Sequence, residues 1–222
     1  MKRIFLLFGA SGELGSCAAE YFPKKEYDRY YFFGRGEIKI HGNSKKVEII
    51  KISDLSEEKN VENAFLKVER EVDASYFLFS TIGGFYSAGV EETKYENWLK
   101  MLNINLNPAF LISKHFVKLV KGTAGGSICF TSAYSSFQLS KGKAAYNVSK
   151  NALNYFIQSF ALEAKSYNVS VNAVAPFAID SASNREWIDD VSRLITPQQI
   201  CDVVESLFMN HLKINGNIIG LP

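Results

Sequence analysis

The run from Arg3 to Phe8 is apolar almost without a break and passes directly into Gly9-Ala10-Ser11-Gly12-Glu13-Leu14-Gly15. A short continuous apolar run suits a strand buried on both faces, which occurs where helices cover a parallel sheet on either side. The rest of the chain keeps that pattern. Strands are predicted at Tyr30–Phe33, Val47–Ile52, Ser75–Ser80, Gly126–Thr131, Val169–Val174 and Asn217–Ile219. Helices are predicted between them, at Leu14–Phe22, Ser56–Arg70, Tyr95–Val120, Ala144–Ser166 and from Thr196-Pro197 to Asn210. Strand–helix alternation with short connections implies an α/β fold: a doubly wound parallel sheet of about seven strands with helices on both faces. Residues 1–222 read as a single domain, without a linker, a repeat or a low-complexity tract. Such sheets bind ligands beyond the carboxyl ends of their strands.

The first such end is the glycine loop. Glycines let the backbone turn tightly and approach a pyrophosphate, and the following helix N-terminus offers free N–H groups and partial positive charge. A plain strand-to-helix turn would carry some of the same residues. Past the second strand, Gly34-Arg35 stands where an acid would hold the ribose 2′-hydroxyl of NAD. Arg35 offers a cation to a 2′-phosphate instead, which favours NADP(H); nearby Glu37 keeps NAD(H) possible. Asp54 is placed to meet the adenine amine or to cap a helix.

Tyr146 and Lys150 lie four residues apart, hence one helical turn apart on one face. The spacing is uninformative by itself, because Tyr21 and Lys25 share it. Context separates the two pairs. Tyr21-Lys25 ends a helix near Pro23 and reads as surface. Tyr146-Lys150 opens a long helix just after a strand that ends at Thr131-Ser132.

With these residues in place, the chain resembles the short-chain dehydrogenase/reductase family over nearly its whole length. The resemblance rests on Ser132 in FTSAYS, Tyr146 and Lys150 in YNVSK, Asn105 in NINL, and VSVNAVAP ending at Pro176. It implies a Rossmann-type domain and an enzyme that exchanges a hydride between nicotinamide and a carbonyl or alcohol, or a quinonoid or imine group. Tyr146 would be the general acid/base. Lys150 would lower its pKa, by about 3 units from about 10, and hold the nicotinamide ribose. Ser132 would hold the substrate oxygen, and Asn105 a water linking Lys150 to solvent. Ser181 matches the residue that holds the nicotinamide carboxamide. The cofactor-facing set is then Gly9, Ser11, Gly12, Glu13, Leu14, Gly15, Arg35, Asp54, Leu55, Gly83, Tyr146, Lys150, Pro176, Ile179 and Ser181.

The chain departs from the usual family pattern at Phe8, Glu13, Thr81–Gly84 and Phe177, and Ser132 lies one residue farther from Tyr146 than is common. The lid between Ser181 and Thr196 is short. FGASGELGS, the paired glycines and ITPQQICDVVESLF followed by NGNIIGLP are similar to the dihydropteridine reductase branch, which prefers NADH and lacks the serine. Another reading of the departures is a non-catalytic dinucleotide-binding sensor or scaffold. Phe85, Tyr86 and Tyr134 are candidates to stack on a ring substrate, or are core aromatics.

Composition removes other classes. The charges nearly cancel, at 25 Lys+Arg against 23 Asp+Glu, which argues against a nucleic-acid partner. Ile4–Phe8 is too short for a membrane span or signal peptide. Cys17, Cys129 and Cys201 lack metal-ligand spacing, so no metal is expected, and read as reduced thiols of a cytoplasmic protein. Helices 95–120 and 144–166 look too apolar for one-sided burial, through Leu99, Leu102, Phe110, Leu111, Phe116, Leu119, Leu153, Phe156, Ile157, Phe160, Ala161 and Ala164. A homodimer or homotetramer through these helices is expected, as the family resemblance also implies.

Overall fold

A computed structural model of the protein describes residues 1–40, 46–138 and 140–222. Seven strands form one parallel sheet: β1 (Lys2–Phe8), β2 (Arg29–Gly34), β3 (Val47–Lys51), β4 (Ala74–Ser80), β5 (Gly126–Thr131), β6 (Val169–Pro176) and β7 (Ile218–Leu221). Their order across the sheet is β3-β2-β1-β4-β5-β6-β7. The winding therefore reverses between β1 and β4, and the carboxyl ends of these two strands open the crevice where such sheets bind ligands.

Strand alternation decides which side chain meets which helix. Ile4, Leu6 and Phe8 of β1 point to one layer. That layer holds α2 (Glu58–Phe65), α3 (Tyr95–Asn105), α4 (Asn107–Val120) and α5 (Ala144–Ala164). Phe5 and Leu7 point to the other, which holds α1 (Glu13–Tyr21) and α7 (Pro197–Met209). Both layers leave Ile4–Phe8 of β1 fully buried, as this apolar run requires. A four-residue helix, α6 (Ala182–Arg185), lies in the short stretch before α7. Thr196 and Gln199 cap α7 reciprocally, with Pro197 in its first turn.

Three expectations are corrected. The single helix at 95–120 is two helices, broken at Leu106. Pro108 is the cause: it lacks an N–H, and its ring collides with the carbonyl four residues back. The helix expected to reach Arg70 ends at Phe65. Beyond it the N–H groups of Glu69 and Glu71 donate to the Tyr31 and Tyr76 hydroxyls, so tyrosines replace the helical partners. Tyr21 of the Tyr21-Lys25 pair is not on the surface: it is buried, donates to Asp202, and lies under the ammonium of the partly covered Lys25.

The apolar excess on α3–α5 is also redistributed. Leu111, Phe116, Leu119, Leu153, Ile157, Phe160, Ala161 and Ala164 are all buried in the core. The outward apolar groups are Leu99, Phe110, Val148, Tyr155 and Leu162.

Phe8, unusual before a glycine loop, is explained by packing. Its ring stacks on Phe33 at 4.2 Å and on Phe65 at 5.4 Å between centroids. Phe8→Thr leaves a cavity and buries a hydroxyl, and should cost about 3–4 kcal/mol. Urea unfolding followed by circular dichroism measures it; a loss below about 1 kcal/mol would mean that the ring is not an anchor.

Candidate active site

The glycine loop is shaped by close backbone approach. Gly9 has φ +87°, a conformation that favours glycine. A Cβ on Gly15 would lie 2.0 Å from the Gly9 carbonyl oxygen, so α1 can start where it does only with glycine there. Gly9 and Ala10 both donate to the Phe33 carbonyl, which seats the loop on the end of β2. The Thr81 hydroxyl donates to the carbonyls of Phe8 and Gly9, joining the ends of β1 and β4. Sequence reading missed Thr81 as a tie; its place at the end of a strand was the available signal.

Ser11 carries the next turn. Its hydroxyl accepts from the Gly36 N–H at 3.3 Å, and a Cβ on Gly34 would come within 2.9 Å of it. A side chain at Gly34 would crowd Ser11 of the loop, which is a packing reason for the missing acid. Arg35 and Glu13 are exposed, Leu14 is buried, and Leu55 is half-buried against the core. Asp54 accepts from both the N–H and hydroxyl of Ser56 at 2.8 Å, which holds its carboxyl below the usual range, with Arg35 contributing. That places Asp54 as a turn-former at the approach to α2; the adenine role expected of it must share this carboxylate.

The second half of the site is built on α5. Tyr146, Lys150 and Asn154 recur at four-residue spacing and form one stripe. Lys150 is buried, and its ammonium donates to the Thr131 carbonyl at 2.9 Å. Asn154, also buried, accepts from the Ser132 hydroxyl at 2.5 Å. Two rungs of the stripe are thus bonded to consecutive residues at the end of β5. Tyr146 is half-buried, with the Phe85 ring edge-on at 4.9 Å. Gly83 comes close enough that a Cβ there would sit 2.9 Å from Lys150 Nζ and 3.0 Å from Asn105 Oδ1. The structure thus gathers Ser132, Lys150, Asn105 and Gly83 at one strand-end cluster, with Tyr146 one turn beyond.

Asn105 is tied to two neighbours. Its Oδ1 accepts from the Gly84 N–H at 3.0 Å, and its Nδ2 donates to the Gly84 carbonyl at 3.1 Å and the Ser149 hydroxyl at 3.0 Å. Ser149 in turn donates to the Tyr146 carbonyl. The amide clamps the paired-glycine turn to α5. The Ser132 proton is engaged by Asn154. Asn154, Ser149 and Ser136 escaped sequence reading. The eight-residue step from Tyr146 to Asn154 was the one signal of a third rung.

In the protein alone, burial sets the ionisation of Tyr146 and Lys150. Burial pushes the Tyr146 phenol up to about 12 and pushes Lys150 down to about 8. Burial is the cause in both cases; neither group draws the other's pKa toward neutrality.

At the far end of the sheet, Pro176 closes β6, and Phe177 donates to the Leu221 carbonyl. The lid is drawn in at its base by Ile195 donating to Ala178 and Asp180 donating to the Ile195 carbonyl. The Arg193 guanidinium lies 3.7 Å over the Phe177 ring, which explains an aromatic where glycine is usual. Ser181 is buried, and its hydroxyl accepts from Asn184 N to cap α6; Asn184 also donates to the Ile179 carbonyl. The Ser181 hydroxyl thus has a structural partner beside the role expected of it.

A glycine cradle at the reversal point of a parallel sheet, facing a Tyr–Lys stripe on the next edge, defines a Rossmann-type dinucleotide-binding architecture. A profile described as short chain dehydrogenase matches residues 3–192; the chain belongs to that family. Among relatives, human dehydrogenase/reductase SDR family member 4 is 32% identical over 111 residues, covering 50% of this chain and 40% of that protein. An NAD-dependent glycerol dehydrogenase of Listeria innocua is 23% identical over 201 residues, covering 87% and 79%. The solved structure of ElxO with NADP bound superposes with a TM-score of 0.82 at 19% identity, covering 100% of this chain and 97% of that one. The family binds NAD(P), and the tight loop, in which a side chain at Gly9 or Gly15 would collide with the protein itself, presents bare backbone at the crevice where such a group would sit. No cluster of three metal-ligating side chains occurs among the described residues.

Lys150 has a measurable energetic signature. Its pKa falls from 10.5 to about 8, so the fold disfavours the charged form. At pH 7 both folded and unfolded chains carry the charge, and the penalty is fully present, at roughly 3 kcal/mol. It fades as pH rises through about 8 toward 10.5. Lys150→Met removes that penalty but leaves the Thr131 carbonyl without its partner, at about 1–3 kcal/mol. The variant should match or exceed the wild type in stability at pH 7 and fall below it by pH 10. Parallel stability curves across that range would show that the buried charge is not what burdens the fold.

Proposed function

We propose that the chain is an NADP(H)-dependent oxidoreductase acting on a small carbonyl or alcohol, with Tyr146 as general acid/base. The observation that carries this reading is the Tyr146–Lys150 stripe bonded to the carboxyl end of β5 beside the glycine cradle. When bound, the nicotinamide would supply or accept the hydride. Gly9, Ser11, Gly12, Glu13, Leu14 and Gly15 would receive the pyrophosphate, with Asp54, Leu55, Gly83, Pro176, Ile179 and Ser181 lining the remaining length. Arg35 would meet a 2′-phosphate through a charge-assisted contact.

Tyr146 exchanges its proton with the substrate oxygen in this scheme. A phenol pushed up to about 12 holds that proton firmly at neutral pH, so turnover needs positive charge beside it. This reading assigns that charge to Lys150, one helical turn away, which with a pKa of about 8 is charged at pH 7. Asn105 and Ser149 hold the helix turn that carries Tyr146. A binding-only sensor is the competing reading, and the bonds that already tie the Asn105 amide to Gly84 and Ser149 favour it. The relatives divide on cofactor: the glycerol dehydrogenase is described as NAD-dependent, and ElxO as holding NADP.

Tyr146→Phe tests the chemistry, because it removes a proton donor and little volume. Turnover of NADPH with carbonyl, quinone or quinonoid pterin acceptors should fall at least about 100-fold, with cofactor affinity unchanged. Full turnover in the variant sinks the assignment, and wild-type binding without turnover on any acceptor supports the sensor. Arg35→Ala should weaken NADPH about tenfold and leave NADH alone; equal wild-type affinities for the two argue against a 2′-phosphate site.

The same reading makes residues 1–222 one domain that pairs with a second copy. Phe110, Val148, Tyr155 and Leu162 expose apolar surface on the outer face of α4 and α5. That face also holds a concavity of about 550 Å³ bordered by Leu106, Phe110, Ala152, Tyr155 and Phe156. Exposed apolar groups gathered in this way mark interfaces. Light scattering should give twice the chain mass of 24.9 kDa or a multiple of it; a monomer with full activity refutes the pairing.

A further inference from the structure

We propose that Asn154 is a positioning residue that turns the hydroxyl proton of Ser132 into the protein, so that Ser132 meets the substrate as a hydrogen-bond acceptor. The inference rests on the reading that Ser132 faces the reacting oxygen.

The direction of the bond follows from a chain of partners. Ser136 donates its hydroxyl to the Ala133 carbonyl at 2.6 Å, one turn back in its own loop. Its only proton is then spent, and its oxygen can only accept from Asn154, whose Nδ2 lies 2.8 Å away. The Asn154 amide is thereby oriented with Nδ2 toward Ser136 and Oδ1 toward Ser132. An amide oxygen cannot donate, so the Ser132 hydroxyl must be the donor across their 2.5 Å contact. All three side chains are buried, at 3% exposure for Ser132, 6% for Asn154 and 7% for Ser136. Breaking any link would strand a polar group away from water. A second tie holds Ser132 in place, because its N–H donates to the Val174 carbonyl at 2.7 Å.

A serine has one proton and two lone pairs. With the proton committed inward, only lone pairs remain for the site. Such a group complements a hydroxyl, which donates, better than a bare carbonyl, which only accepts. Ser132 would hold the alcohol form of a substrate directly. To donate to the ketone form it must first leave Asn154.

The test reads the proton itself, without cofactor. A hydroxyl held in a short buried hydrogen bond exchanges slowly with water. In isotopically labelled, ligand-free protein at low temperature, a slowly exchanging hydroxyl proton correlated with Ser132 Cβ is expected. Asn154→Leu should abolish it or speed its exchange at least tenfold. Ser136→Ala is the second variant, in case Asn154→Leu fails to fold. It frees the Asn154 amide to turn over, makes Ser132 the acceptor, and should abolish the same signal while the protein stays folded. A wild type without the slow proton, or a signal that survives both substitutions, overturns the proposal.

Steady-state assays with cyclohexanol and cyclohexanone read the acceptor role. Ser136→Ala should raise the KM ratio of alcohol to ketone about tenfold, with kcat changed less. An unchanged ratio, or no reaction with either compound, overturns the preference for the alcohol form. These outcomes are separable from the catalytic reading: Tyr146→Phe with full turnover would sink that reading and leave the Ser132 proton where it is.

Discussion

The hydrogen bonds from α5 to the carboxyl end of β5 organise the site and much of its surroundings. Lys150 to Thr131 and Asn154 to Ser132 join one face of a helix to two successive residues of a strand end. Side chains four residues apart on a helix rise about 6 Å, so two such bonds set both the position and the tilt of the axis. Once α5 is placed, Tyr146 stands one turn beyond Lys150. Asn105 then reaches Ser149 on the same helix while clamping Gly84. The break before Pro108 leaves Asn105 at the end of α3, where its side chain can reach both.

This arrangement is costly to the fold. A buried lysine whose pKa drops to about 8 is a charge held against its preference. A core of Phe5, Phe22, Tyr27, Phe32, Phe77 and Phe208 packed ring against ring supplies compensating burial. The same use of aromatics recurs at two positions where the family pattern has something smaller. Phe8 fills the space between Phe33 and Phe65 beneath the glycine loop, and Phe177 seats Arg193 at the base of the lid. These departures are packing solutions and leave the backbone geometry of the loop intact. Membership of the short-chain dehydrogenase family is consistent with that, because the family's demands are on loop shape and strand-end position.

Much of the fold was legible because period and punctuation agree. Each predicted strand is present within two residues at either end, and Thr196-Pro197-Gln198-Gln199 announced its helix by composition alone. Errors fell where long-range partners overrode local pattern. The end of α2 depended on hydroxyls of Tyr31 and Tyr76, from two different strands. The apolar residues read as interface were mostly core, because periodicity shows that a face is apolar but not what covers it.

By itself the sequence determined the sheet, its winding and the place of the glycine loop, since buried strands and tight turns depend on residue type at local spacing. It also brought Tyr146 and Lys150 to one helical face, because four residues make about one turn. Tertiary structure decided what those side chains do. Whether Lys150 spends its ammonium on Thr131, whether Asn105 clamps a turn to α5, and which way the Ser132 proton points depend on partners 19 to 44 residues away in the chain. Hydrogen-bond direction and desolvation are set by three-dimensional neighbours, and no periodicity in a single chain records them.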